Sequence, residues 1–164
     1  MVYVDPRNLG YEPYWHKWML KFTKNKERFA EFINTMDEIY PRYIPILMKR
    51  IFEGYDNETG ETYKSLEFTL PRTNLNLQIQ LTRILDALLN IENLPDPDKL
   101  ESIFIYATVW SLGACLSIDS KKIFEEKLRS LVQKPMPDKK ISIFDFYFDM
   151  KREWVNWKDE VRPY

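Results

Sequence analysis

Cysteine, histidine and glycine are scarce in this sequence. Among 164 residues there are four glycines, one cysteine (Cys115) and one histidine (His16). A single cysteine excludes an internal disulfide and is typical of a reducing compartment. One histidine and one cysteine cannot assemble the usual zinc sites, and a Ser-His-Asp or Cys-His catalytic system would have to use His16. We therefore predict no metal site and no catalytic residue. Apolar neighbours predict that Cys115 is a buried packing residue, and we expect His16 at the surface or its boundary.

An excess of charge of one sign is also lacking. The chain has 24 Lys and Arg residues against 25 Asp and Glu residues, which gives no electrostatic case for nucleic acid or an anionic membrane as partner. Neither a G-x-x-x-x-G-K-[ST] nor a G-x-G-x-x-G motif occurs, so no phosphate-binding loop is encoded. The N-terminus has no signal-peptide pattern, and we expect a cytoplasmic chain. By itself the chain is predicted not to be an enzyme.

Aromatic residues, by contrast, are abundant: 10 Phe, 10 Tyr and 5 Trp. Together with scarce glycine they predict a single, well-packed all-α domain. Residues 100–116 form its expected central helix, because no charge occurs between Glu101 and Asp119 and apolar residues occupy nearly all sides. We expect Trp110 to be largely buried there. Small residues in this helix should let a neighbour approach its backbone closely; they are Ala107, Ser111, Gly113 and Ala114.

Apolar spacing predicts further helices on either side of the central one. Their expected ranges are 13–25, 25–40, 43–54, 75–92 and 120–133. Pro41 should kink or interrupt the helical pattern, and Gly54 should end it. We predict a polar loop with a short β excursion near 55–70, a brief strand or extended cover over 143–148, and a last helical turn or two over 150–158.

Three polar or aromatic clusters permit either a binding or a structural interpretation. Asp56, Asn57, Glu58 and Glu61 could bind calcium, but the EF-hand spacing is absent and a solvated loop is favoured. Glu125-Glu126 is interpreted as part of a solvated helix face. The tryptophan pairs at 15 and 18 and at 154 and 157 could form a ligand cage, although packing in the core is the favoured interpretation.

Four segments, in order along almost the whole chain, resemble dynein heavy chains. The first is Met1–Pro6 with Leu9-Gly10-Tyr11, Pro13 and Trp18, which is similar to the stretch after the large subdomain of the second AAA+ module. The second is Val109–Gly113, similar to a valine-tryptophan-serine-x-glycine signature. Phe124 and Arg129 follow it as in the family, and Ile143–Phe148 with Trp154 and Trp157 resembles the family's phenylalanine-aspartate-tyrosine motif and tryptophan pair.

The resemblance implies a compact multi-helix AAA+ lid-type bundle. Residues 1–12 would be a strand remnant and hinge from the large subdomain, and residues 13–164 the helical lid and its extension. Such a lid would help gate nucleotide and transmit conformational change in an ATP-driven microtubule motor. The opening is more similar to axonemal than to cytoplasmic dyneins, which implies a place in the cytoskeleton of a cilium or flagellum.

The resemblance also implies a cofactor and partners. ATP or ADP would bind in the full-length motor and not to the isolated fragment, with Leu9, Gly10, Trp110 and Ser111 as candidates near the nucleotide. The implied partners are the other AAA+ modules, microtubules, and dynein intermediate and light chains. The segment Trp110–Gly113 carries no arginine, so no sensor residue is transferred. A free-standing helical scaffold that binds a protein through an aromatic groove is the alternative hypothesis.

Overall fold

Five α-helices form the body of the computed structural model, which describes residues 12–69, 72–89, 94, 97–132, 143–149 and 153–156. They are α1 Glu12–Thr23, α2 Lys26–Met48, α3 Asn74–Leu88, α4 Pro97–Thr108 and α5 Ile118–Leu131. Two helices continue into a π-helical turn: α2 into the first π turn, Lys49–Glu53, and α4 into the second π turn, Val109–Gly113. The predicted all-α bundle is confirmed. No helix in the described ranges is long and apolar enough to cross a membrane.

The central position of α4 and the second π turn is also confirmed. Most of their side chains are buried, and α2, α3 and α5 all contact them. The buried apolar members are Leu100, Ile103, Phe104, Ile105, Ala107, Val109 and Leu112. The helix begins at Pro97, where the missing proline N–H has no intrahelical acceptor to lose. Since these apolar residues lie on nearly all sides of the helix, it must be enclosed by the others.

The predicted interruption at Pro41 is wrong. Helix α2 runs through both Pro41 and Pro45, and its non-helical backbone lies instead at Phe29, with φ −109° and ψ 18°. A proline removes the donor to the carbonyl four residues earlier. The carbonyls affected here belong to Asp37 and Pro41, which are both exposed, so water can take the place of the missing donors.

Side-chain caps fix the starts of three helices. Asn25 accepts a hydrogen bond from the Arg28 N–H, and Thr73 and Asn76 form a capping box at the start of α3. Ser117 caps α5 by accepting from the Ser120 N–H, so this helix begins two residues before the predicted start. Apolar spacing predicts Ile123 on the buried side of this helix, but it is 39% exposed.

The end of the described chain is a β-hairpin rather than a helix. A 3₁₀ turn, Ile143–Asp145, leads into β1 Phe146–Asp149, which pairs antiparallel with β2 Glu153–Asn156. The strand predicted within 143–148 is present, but the helical turn predicted over 150–158 is wrong where the structure describes it. Trp154 and Val155 pair with Phe148 and Tyr147, and aromatic and β-branched residues favour such a pairing.

The loop after the first π turn contains less β structure than predicted. Its described part, 55–69, forms two isolated bridges, Tyr55 to Thr62 and Phe68 to Leu116, and no strand. Gly54 ends the π turn as predicted, with φ +75°, and its carbonyl accepts a 2.7 Å hydrogen bond from the Tyr63 N–H. The proposed strand remnant and hinge, residues 1–12, lies outside the described residues except for Glu12 at the start of α1.

Candidate functional site

The second π turn is the candidate site, because it coincides with the Val109–Gly113 signature. An extra residue in one helical turn widens it, and such π turns recur at functional sites. Four of its five residues are buried: Val109, Ser111, Leu112 and Gly113. All residues of this turn except Trp110 therefore face the bundle interior.

Ser111 is engaged within its own helix. Its side chain is 2% exposed, and its hydroxyl donates a 3.3 Å hydrogen bond to the Thr108 carbonyl. The Thr108 hydroxyl does the same to Phe104, at 2.8 Å. In this conformation the Ser111 hydroxyl thus bonds to backbone.

Trp110 is half-buried, which corrects the expectation of a largely buried indole. Its ring meets Tyr106 and Phe144 edge to face, at centroid distances of 6.3 and 6.0 Å. Burial raises the pKa of the Tyr106 phenol. The Trp110 Nε1 atom is buried and has no acceptor among the described residues. A buried donor without a partner costs about 1–3 kcal/mol, so this N–H is available to an acceptor from outside them.

Gly113 is the point of closest approach to the turn. A Cβ atom there would lie 2.7 Å from the Phe124 ring and 2.8 Å from the Phe144 ring. The prediction that small residues admit a close neighbour is confirmed at this position. The neighbours are two aromatic rings, one on α5 and one on the 3₁₀ turn.

The predicted solvated face is wrong for Glu125, which instead connects α5 to the 3₁₀ turn. Its side chain is 16% exposed and pairs with Arg129 at 3.2 Å. The same oxygen, Oε1, accepts a hydrogen bond from the Ile143 N–H, and Ile143 is fully buried. Glu126 is exposed, as expected. Adjacent carboxylates therefore have different roles, which sequence alone did not distinguish.

Lys127 is a buried residue that the sequence reading missed. It is 6% exposed and donates hydrogen bonds to Asp56, at 3.0 Å, and to Asn57. The Lys127 bond, aided by the Glu58 N–H, lowers the pKa of Asp56. Spacing gave a signal, since Phe124, Lys127 and Leu128 follow the i, i+3, i+4 pattern of one buried face. No group of three or more metal-binding side chains occurs in the described part of the chain, so the calcium alternative gains no support.

The first tryptophan pair belongs to the core and its edge. Trp15 is 3% exposed and stacks on Tyr40 at 4.2 Å, while Trp18 donates a 2.9 Å hydrogen bond to Asp86. For the second pair, the structure describes only the backbone of Trp154, and Trp157 lies outside the described residues. His16 is exposed, as expected. Cys115 is half-buried, whereas the sequence predicted that it is buried. The candidates Leu9 and Gly10 lie outside the described residues.

This all-α bundle, centred on a buried helix with a π-helical end, is of the lid type. A family model described as "Dynein heavy chain AAA lid domain" matches residues 48–159, which is more than half of the chain. The chain therefore belongs to the dynein heavy chain AAA lid domain family.

Curated relatives match the chain almost from end to end. It is 35% identical to the human dynein axonemal heavy chain 10 and 30% identical to the dynein-1-alpha heavy chain of the flagellar inner arm I1 complex from Chlamydomonas reinhardtii, each over 100% of this chain. It is 25% identical to the dynein axonemal heavy chain 11 of Sus scrofa, over 98% of this chain. The chain spans 3 to 4% of the length of these relatives. No solved structure matches it.

Proposed function

We propose that this chain is the helical lid of the second AAA+ module in an axonemal dynein heavy chain, where it helps gate nucleotide and transmit conformational change. The carrying observation is the family match over 48–159. The full-length protein would be an ATP-driven microtubule motor of a cilium or flagellum. The chain alone would bind no nucleotide and hydrolyse none.

The proposed movement enters through residues 1–12. We assign them to a hinge from the large subdomain, with Gly10 absorbing rotation because glycine adopts backbone angles closed to other residues. Helix α1, which follows directly, is firmly attached to the bundle: Trp15 stacks on Tyr40, and both Trp18 and Lys21 donate hydrogen bonds to Asp86 on α3. A rotation at the hinge would therefore move the bundle as one body.

The nucleotide side of the proposal rests on four residues. Leu9 and Gly10 would lie near the nucleotide as part of the hinge, and Trp110 and Ser111 as part of the second π turn. The Trp110 N–H supports this choice, because it is a buried donor whose acceptor is missing from the described residues. The other AAA+ modules, microtubules, and intermediate and light chains would be partners of the full-length protein.

Replacement of Gly10 in the full-length heavy chain tests the proposal. Gly10→Val should change nucleotide-dependent microtubule gliding, while the same substitution in the 164-residue chain should leave its melting temperature nearly unchanged. Gly60→Val is the matched control: it strains the loop backbone at φ +72°, where a Cβ would meet nothing within 4 Å, and it should not alter gliding. If gliding merely follows the amount of folded protein, Gly10 is a packing residue and the hinge assignment fails.

A further inference from the structure

The C-terminal segment, residues 143–149 and 153–156, depends on the bundle for its structure. It consists of a 3₁₀ turn and a single two-stranded hairpin. A hairpin of two four-residue strands is at best marginally stable in water when it stands alone. Its order therefore has to come from its attachment to the helices.

Besides contacts between β1 and α4, two neighbouring residues provide that attachment. Ile143 is fully buried, and its N–H donates to Glu125 Oε1, a carboxylate already held by Arg129. The Phe144 ring lies over Gly113, where a Cβ atom would be 2.8 Å away, and Lys121 Nζ lies 5.1 Å from its centroid. Two consecutive residues thus attach the segment. Ile143 does so through a charge-assisted hydrogen bond, and Phe144 through its ring, which packs against Gly113; we call this packing site at Gly113 the cradle.

The cradle itself belongs to the second π turn. A π turn holds one residue more than the α-helical turn it replaces, so a return to α geometry would rotate Gly113 relative to the rest of α4. Gly113 would then no longer face Phe144. The winding of the central helix and the attachment of the segment are coupled by this contact.

We propose that Glu125 and Gly113 form a latch that fastens the C-terminal segment to the bundle, and that the segment is released as a separate unit when the latch opens. The bundle stays folded on release because its core contains residues of all five helices. In the motor the latch would pass a change in the lid to the chain that follows, a role that rests on the proposed function.

Hydrogen exchange in the full-length heavy chain tests the latch. Glu125→Gln keeps an acceptor oxygen for the Ile143 N–H but loses the charge that strengthens this hydrogen bond and the ion pair with Arg129. It should raise exchange rates in peptides covering 143–156 by roughly fivefold to tenfold, and leave α3 and α4 peptides unchanged. The adjacent exposed residue provides the control, since Glu126→Gln should exchange like the wild type. Unchanged exchange in 143–156, or an equal rise throughout the bundle, overturns the proposal.

A second variant tests the contact between Gly113 and Phe144, and it tests the latch on its own if Glu125→Gln fails to fold. Gly113→Ala should raise exchange in the same peptides more than in the bundle, because the added Cβ meets both Phe124 and Phe144 and only Phe144 belongs to the segment. Gly60→Ala should have no such effect. Microtubule gliding separates the latch from the proposed function. Released peptides with altered gliding support both, while released peptides with unchanged gliding support the latch and contradict its role in transmission. Protected peptides contradict the latch whatever the gliding speed.

Discussion

Gly54 and Gly60 have nearly the same backbone conformation in very different surroundings. Their φ angles are +75° and +72°, in the left-handed region that costs other residues about 1–2 kcal/mol. A Cβ atom at Gly54 would lie 1.8 Å from the Tyr63 carbonyl oxygen, whereas one at Gly60 would meet nothing within 4 Å. The pair therefore separates backbone strain from a steric clash.

Gly54→Ala should destabilise the chain far more than Gly60→Ala. We expect about 1 kcal/mol for Gly60→Ala from backbone strain alone, and at least about 3 kcal/mol for Gly54→Ala, because the loop backbone must move and its hydrogen bond from Tyr63 to Gly54 is lost. Urea unfolding of both variants measures the difference. Equal losses would show that the loop moves aside at little cost.

The ion pair of Asp56 with Lys127 should make part of the stability depend on pH. The folded pKa of Asp56 lies below that of an unfolded aspartate, so the pair contributes stability above about pH 4 and loses it as pH falls through the folded pKa. Asp56→Asn should be less stable than the wild type at pH 7, and the difference should shrink on acidification below about pH 4. Urea unfolding from pH 7 to pH 3 measures this, with exposed Glu58→Gln as control. A difference that stays constant with pH would contradict the assignment.

Among the secondary-structure elements, α1 connects the proposed hinge to the rest of the molecule. Its inner face carries Trp15, 3% exposed, which stacks on Tyr40 of α2 and meets Phe104 of α4 edge to face at 6.1 Å. Its outer face carries Leu20, 52% exposed. Trp15 thus contacts two other helices, while Leu20 contributes little to packing.

Trp15→Ala should cost about 3–5 kcal/mol, as large-to-small core substitutions do, and Leu20→Ala less than about 0.5 kcal/mol. Thermal and urea unfolding of the 164-residue chain provide the measurement. A Trp15→Ala variant as stable as Leu20→Ala would show that α1 is not fixed to the bundle, and it would remove the rigid connection on which the hinge proposal depends.

The success of sequence reading differs between elements for physical reasons. Apolar periodicity found all five described helices, the central one among them, because burial sets that pattern directly. It failed at Pro41, where the exposed carbonyls of a helix can be solvated, and at Glu153–Asn156, where pairing with the neighbouring strand Phe146–Asp149 decides the structure. The conformational preference of a single segment contains no information about the strand with which it pairs.

For the candidate site, the sequence offers one feature, the signature Val109–Gly113, which coincides with the second π turn. The π winding, the half-exposed Trp110 and the hydrogen bond of the Ser111 hydroxyl to Thr108 are not contained in that signature. The different roles of Glu125 and Glu126 depend on Ile143, eighteen residues away along the chain from Glu125. No spacing rule within a helix contains that information.

For the whole molecule, the important property is that one core connects the five helices that the structure describes. A single cluster of buried residues runs from Trp15 and Phe22 on α1 through Tyr43, Leu81 and Phe104 to Phe124 and Ile143. Polar contacts reinforce it between distant elements. The Tyr43 hydroxyl donates a 2.7 Å hydrogen bond to Glu101, and burial together with this carboxylate raises the pKa of Tyr43. Helices that share a core in this way lose their packing together.

The helices of the 164-residue chain should therefore unfold in one cooperative transition. We expect a single calorimetric peak, with calorimetric and van't Hoff enthalpies that agree, and a circular dichroism transition at 222 nm with the same midpoint. Release of the C-terminal segment leaves this result intact, because the segment contains no α-helix and the 222 nm signal follows the bundle. Two separate helical transitions would mean that α1 and α2 unfold independently of α4 and α5. A bundle divided in that way could not carry a rotation from the hinge to the latch as one rigid body.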